Sequence, residues 1–123
     1  MRVLYVDDDA DLRELVAISL SRDPGLDVRI ADSGQAAINM LAAGDWTPDL
    51  FLLDVMMPVM DGPTLIGKLR ENPAYIPIPF AFFTARVMNE ERQALLATGA
   101  AGLIQKPFDP IALADQVRAL APA

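Results

Sequence analysis

Short apolar runs alternate along this chain with segments whose apolar residues recur at helical spacing. The runs are Val3 to Val6, Val28 to Ala31, Leu50 to Leu53, Phe80 to Phe83, and Leu103 to Ile104. Leu50-Phe51-Leu52-Leu53 and Phe80-Ala81-Phe82-Phe83 show no polar alternation, which is the pattern of strands covered on both faces. Between the runs, Leu12, Leu15, Val16 and Leu20 fall at i, i+3, i+4 and i+8 and predict a helix with one apolar face. Leu113, Val117 and Leu120 repeat that spacing near the C-terminus. Asp109-Pro110 predicts a helix start, with an aspartate cap and a proline where a missing N–H costs nothing. Ser33 and Asn89 predict the caps of two further helices, and Pro24-Gly25 and Asn72-Pro73 predict turns.

The resulting expectation is an α/β fold: five β-α units in series, forming one domain over residues 1–123. Strands separated by helices imply a parallel sheet with helices on both faces, a doubly wound architecture. Ligands of such sheets bind beyond the carboxyl ends of the strands, where the strand order reverses.

Composition narrows the chemistry. A length of 123 residues suits one compact domain, and 53% hydrophobic residues are enough for a core. The chain has 10 basic and 17 acidic residues, a net charge of -7, which argues against direct nucleic-acid binding and suits a protein that gathers a cation and docks onto other proteins. Cysteine and histidine are both absent, which excludes disulfides, thiolate chemistry, Ser-His-Asp triads, zinc-histidine sites and phosphohistidine carriers. The first strand runs into Asp7, Asp8 and Asp9 too early for a signal peptide, and no apolar stretch reaches membrane-span length. The expected location is therefore the cytoplasm.

The polar residues of interest fall at the predicted strand ends. Asp7 and Asp8 follow the first strand, Asp54 ends the third, Thr84 ends the fourth, and Lys106 closely follows the fifth. Gathered on one sheet edge, three carboxylates repel one another, and a hard divalent cation relieves that repulsion. Such a set is suited to holding a metal together with a phosphoryl group. Asp54 can serve as a nucleophile forming an aspartyl-phosphate, Lys106 can neutralise phosphoryl oxygens, and Thr84 can hydrogen-bond the group on arrival. Asp9 and Asp11 are better read as negative charge at a helix N-terminus.

These residues carry a family resemblance. Val6-Asp7-Asp8-Asp9, the block from Leu53-Asp54-Val55-Met56-Met57-Pro58 through Val59-Met60-Asp61-Gly62, Phe83-Thr84-Ala85 and Gln105-Lys106-Pro107-Phe108 resemble the receiver domains of bacterial two-component response regulators, the CheY-like superfamily. The resemblance implies a flavodoxin-like fold with strand order 2-1-3-4-5 and a phosphorylation switch rather than an enzyme. It implies Asp54 as phosphoacceptor, served by a sensor histidine kinase or a histidine phosphotransfer protein. It further implies Mg²⁺ (or Mn²⁺) bound directly by Asp8 and Asp54, by Asp7 through water, and by the Met56 backbone carbonyl. Lys106-Pro107 is expected to be cis, and Gly62 matches a glycine of the loop beyond the acceptor. The output surface is expected on the fourth helix, fifth strand and fifth helix, toward a downstream protein or a fused output domain, with a phosphorylation-dependent dimer among its states. Whether the chain stands alone or belongs to a longer one is left open.

Two positions depart from the best-known members. Leu103, three before Lys106, stands where the family often has Tyr or Phe, which puts an aromatic rotamer readout in doubt. Met56 and Arg86 occupy the positions that tune loss of the phosphoryl group, and their bulk predicts a slow reset, to be checked by the lifetime of the phosphorylated form in Met56→Asn and Arg86→Ala. Two rival functions keep the same fold: a pseudo-receiver that binds without being phosphorylated, and a Mg²⁺-dependent phosphohydrolase with an aspartyl nucleophile. The second commonly has an acid two residues after the nucleophile, where this chain has Met56.

Overall fold

A computed structural model describes residues 1–85 and 88–121. Five strands alternate with five helices: β1 (Arg2–Val6), α1 (Ala10–Ser21), β2 (Asp27–Ala31), α2 (Gly34–Ala42), β3 (Leu50–Asp54), α3 (Gly62–Leu69), β4 (Phe80–Thr84), α4 (Asn89–Ala97), β5 (Gly102–Gln105) and α5 (Leu113–Leu120). All strand pairs are parallel and the sheet order is β2-β1-β3-β4-β5, as the resemblance implied.

Burial follows from this order. Every residue of the central strands β3 and β4 is buried, in keeping with their unbroken apolar sequences, whereas the edge strand β2 is only half-buried. Strand parity divides the core into two layers. Leu4, Val6, Phe51, Leu53 and Phe82 face Ala37 and Leu41 of α2, Leu65, Ile66 and Leu69 of α3, and Leu95 of α4. Val3, Tyr5, Leu50, Leu52, Ala81 and Phe83 face Val16 and Leu20 of α1 and Leu113, Ala114 and Val117 of α5.

Local chemistry sets the helix ends, with some departures from the sequence expectation. Ser33 caps α2, its hydroxyl accepting from Ala36 N–H at 3.0 Å, and Asp9 caps α1, accepting from the N–H groups of Asp11 and Leu12. Asn89 is not a cap: it is the first residue of α4, and the extended residue before it, Met88, makes no side-chain capping bond. Asp109-Pro110 opens a turn and not the helix itself. Asp109 accepts from Ile111 N–H through its side chain and from Ala112 N–H through its carbonyl, and α5 starts at Leu113. In α1, Val16 and Leu20 are buried with Ser19 between them, but Leu15 is 39% exposed, so the apolar stripe is narrower than its spacing predicts. The Asn72-Pro73 turn is a short 3₁₀ helix, Pro73–Tyr75, capped by Asn72.

Candidate functional site

The parallel register is what gathers the polar strand ends. Val6 pairs with Leu53, so Asp7 and Asp54, one residue further along their strands, end level with each other. Asp54 pairs with Phe83, and Thr84 pairs with Gln105, which places Thr84 and Lys106 one step beyond. Asp7, Asp54 and Thr84 are buried at the carboxyl edge, and Asp8 is exposed beside them. One carboxylate oxygen from each of Asp7, Asp8 and Asp54 lies within 4.8 Å of the other two. That is close to the roughly 4 Å that separates opposite ligands in an octahedral shell with bonds near 2.1 Å. Three carboxylate oxygens clustered this closely suit a hard divalent cation in donor type, with room for one of them to reach it through water.

Lys106 is the cationic counterpart. Its Nζ donates to Asp54 Oδ1 at 2.8 Å and stands 3.5 Å from Asp7 Oδ2. The Lys106 N–H donates to the Thr84 carbonyl at 2.8 Å, and the Lys106-Pro107 bond that follows is cis, as the resemblance implied. Burial pushes the Asp54 carboxyl above the usual carboxylate range; the Lys106 bond opposes that shift and the Asp7 charge adds to it. Asp54 thus presents a partly desolvated carboxylate facing an ammonium.

Asp7 is wholly buried and held on all sides. Its Oδ1 accepts from Asp9 N–H at 3.0 Å, its backbone carbonyl accepts from Arg13 Nη1 at 3.0 Å, and its Oδ2 accepts from the Tyr5 hydroxyl at 2.5 Å. Tyr5 is fully buried, and burial together with the Asp7 carboxylate holds its hydroxyl well above the ordinary tyrosine range, so it serves as a donor. Nothing in the sequence expectation singled out Tyr5. The signal was there in strand parity, since a residue two before Asp7 points to the same face of β1.

The loop after β3 is shaped by two backbone positions. Gly62 N–H donates to the Val55 carbonyl at 3.0 Å, and a Cβ at Gly62 would lie 2.5 Å from the Asp54 carbonyl oxygen and 3.1 Å from Phe82 Cε1. Only glycine lets α3 start that close to the end of β3. Val59 has a φ of 69°, and Met60 N–H donates to the Pro58 carbonyl at 2.7 Å, closing a γ-turn of the rarer hand. Asp61, whose carboxylate accepts from Thr64 N–H at 2.8 Å, then caps α3, with Pro63 in the first turn. That Asp-Gly-Pro start was legible in the sequence but absent from the expectation.

Met56, two residues after Asp54, is 65% exposed, and Arg86 lies outside the described residues. Leu103 is partly buried and packs against the α2-α3-α4 layer of the core. Among the described residues no helix is long and apolar enough to cross a membrane.

Fold, strand order and the residues gathered at the carboxyl edge define the flavodoxin-like receivers of response regulators. Residues 3–118 match the family model for the response regulator receiver domain, and the chain belongs to that family. Among its relatives is an uncharacterized 14.6 kDa protein of Leptolyngbya boryana, 40% identical over 113 residues that cover 92% of this chain and 84% of that protein. The response regulator MprA of Mycobacterium avium is 41% identical over 120 residues, covering 98% of this chain but 50% of that regulator. A probable transcriptional regulator of Pyropia yezoensis is likewise spanned over only 48% of its length. Two solved structures superpose closely: the chemotaxis response regulator CheY4 of Vibrio cholerae, with a TM-score of 0.83, 32% identity and 97% of each chain covered, and the Francisella response regulator 1452 receiver domain, with a TM-score of 0.83, 27% identity and 98% and 95% covered.

Proposed function

We propose that this domain is a phosphorylation-dependent switch of a two-component phosphorelay, with Asp54 as the residue that accepts the phosphoryl group. The observation that carries the proposal is the buried Asp54 carboxylate, held 2.8 Å from Lys106 Nζ beside the Asp7 and Asp8 carboxylates. In the proposed reaction an Asp54 oxygen forms a bond to phosphorus while the phosphorus–nitrogen bond of a phosphohistidine donor breaks. The donor is a sensor histidine kinase or a histidine phosphotransfer protein. A divalent cation such as Mg²⁺, held directly by Asp8, Asp54 and the Met56 carbonyl and through water by Asp7, would screen the approach of one anion to another. Lys106 then exchanges its bond to the free carboxylate for the phosphoryl oxygens, and the Thr84 hydroxyl hydrogen-bonds the same group.

Phosphorylation adds roughly -1.5 to -2 charge and three strong acceptor oxygens. Thr84 ends β4 and Lys106 directly follows β5, the two strands that lead into the α4-β5-α5 face, so drawing them inward biases that face between two arrangements. A downstream protein or an attached output domain would read the change there. With Leu103 packed into the core, that readout does not rest on an aromatic side chain at its position. Met56, exposed beside the acceptor, is well placed to hinder an attacking water and prolong the phosphorylated state.

Incubation with Mg²⁺ and acetyl phosphate tests the proposal. The expected product is a stable, stoichiometric adduct that is lost in Asp54→Ala. Continuous phosphate release would favour a phosphohydrolase, and no reaction would favour a binding module without phosphorylation. A half-life of seconds, unchanged in Met56→Asn, would remove Met56 as a cause of slow reset.

A further inference from the structure

The phosphoryl chemistry assigns tasks to Asp7, Asp8, Asp54, Thr84 and Lys106 but leaves the Tyr5 hydroxyl without one. Strand parity puts Tyr5 and Asp7 on the face of β1 covered by α1 and α5. The Tyr5 ring stands edge-on to Phe83 at 5.5 Å, and Phe83 meets Phe108 at 5.4 Å, so the buried ring is seated in an aromatic cluster.

Two donors face Asp7 Oδ2, and distance ranks them. The Tyr5 hydroxyl is 2.5 Å away, while Lys106 Nζ stands off at 3.5 Å and makes its short bond, 2.8 Å, to Asp54. The other Asp7 oxygen is occupied by Asp9 N–H. A buried carboxylate that loses a hydrogen-bond donor keeps the full desolvation cost. Without the Tyr5 hydroxyl, the donor already nearest Asp7 Oδ2 is the Lys106 ammonium, and the shortest relief is for it to move across from Asp54.

We propose that Tyr5 is a positioning residue of this site: its hydroxyl fixes the Asp7 carboxylate and thereby keeps Lys106 assigned to the acceptor. This inference rests on the proposed function, since it concerns the same cation and the same acceptor. Hydrogen bonds behind a ligating carboxylate commonly govern metal affinity by 10–100-fold. For a carboxylate that reaches the cation through water, the expected effect lies near the lower end, about tenfold.

Calorimetric titration with Mg²⁺ tests this in four forms of the protein: the parent, Tyr5→Phe, Asp7→Asn and the double variant. Tyr5→Phe is expected to bind Mg²⁺ about tenfold more weakly than the parent. The same change made in Asp7→Asn is expected to have no further effect, because its target is gone. Val3→Ala, which removes packing from the same face of β1 without touching the site, is expected to leave Mg²⁺ affinity unchanged; a loss equal to that of Tyr5→Phe would mean general loosening and overturn the proposal. A second measurement needs no substitution at position 5. With 3-fluorotyrosine in place of the two tyrosines, the Tyr5 ¹⁹F resonance is expected to shift with Mg²⁺ in the parent and to stay fixed in Asp7→Asn. Equal Mg²⁺ affinities for parent and Tyr5→Phe, or an equal loss in the Asp7→Asn background, would overturn the role of Tyr5 and leave the proposed function standing. Failure of the parent to bind Mg²⁺ would overturn both.

Discussion

Gly62, at the start of α3, and Val59, in the turn before it, are three residues apart, yet substitutions there should move stability in opposite directions. Alanine at a helical position is ordinarily better than glycine by about 1 kcal/mol. At Gly62 the new Cβ would lie 2.5 Å from backbone, the Asp54 carbonyl oxygen, which cannot swing aside as a side chain can. Overpacking costs about 1–3 kcal/mol, and a clash with backbone belongs in the upper part of that range. Net of the helical gain, Gly62→Ala is expected to destabilise by about 1–2 kcal/mol in chemical denaturation. A variant as stable as the parent would show that the contact relaxes freely. Val59 is the reverse case: it is fully exposed, so its side chain contributes no packing, and its φ of 69° is unfavourable for a β-branched residue. Strain at such positions is about 1–3 kcal/mol, against a glycine entropy cost of about 0.5–1 kcal/mol. Val59→Gly is expected to raise the denaturation midpoint by about 1 kcal/mol equivalent, and a lowered midpoint would refute strain in the turn. Neither sign was legible in the sequence. The glycine was expected from the resemblance alone, and its reason is a distance between α3 and the end of β3 that only the folded chain defines.

Elements were legible to the extent that their signals were local. Unbroken apolar runs marked β3 and β4 because both faces of those strands are covered, and Ser33 marked the start of α2 because its hydroxyl answers a donor three residues away. Asn89 misled because capping depends on which residue is still extended, and Met88 already fills that place. Leu15 misled because spacing alone does not say how wide a face the neighbouring elements cover. Away from the carboxyl edge of the sheet, contacts between distant elements were not legible. Arg118 in α5 makes a two-pronged ion pair with Asp23 in the turn after α1, 95 residues away, through Nε to Oδ2 and through Nη2 to Oδ1. The Arg118 guanidinium beside Asp23 holds its carboxyl down at about 2. A carboxyl lowered on folding contributes stability that is complete above its unfolded value of about 3.9 and is lost as pH falls through about 2. In Arg118→Ala, NMR titration is expected to find the Asp23 carboxyl returned toward the ordinary aspartate range. The stability gap between the variant and its parent should narrow as the solution is acidified; a gap that stays constant to the lowest pH would separate the ion pair from the effect.

For the whole molecule, the sheet that gathers the site also works against its charge. Three carboxylates on one edge of a chain of net charge -7 are held together by the register of β1 and β3, and one of them, Asp54, is raised above its ordinary range chiefly by burial. A carboxyl raised on folding favours the protonated folded state, so its contribution is complete below the unfolded value of about 3.9 and is lost as pH rises through the folded value. Without a cation, the charge on Asp54 therefore costs stability wherever it is carried. Asparagine keeps the shape and an oxygen that can accept from Lys106 but carries no charge. Asp54→Asn is accordingly expected to melt above the parent at pH 7 in chelator, with the difference shrinking as pH is lowered through the folded value of Asp54. Mg²⁺ should invert that order. A ligand that binds only the folded state stabilises it by about 1.4 kcal/mol at ten times its dissociation constant, and the parent gains this while a variant lacking the Asp54 charge gains less. Thermal melts at two pH values, each with chelator and with Mg²⁺, separate the possibilities. A parent more stable than Asp54→Asn at pH 7 in chelator would mean that Lys106 already compensates the buried charge. An identical Mg²⁺ response in both proteins would mean that the cation sits elsewhere. The expected inversion would tie the destabilising charge and the binding of the cation to the same carboxylate.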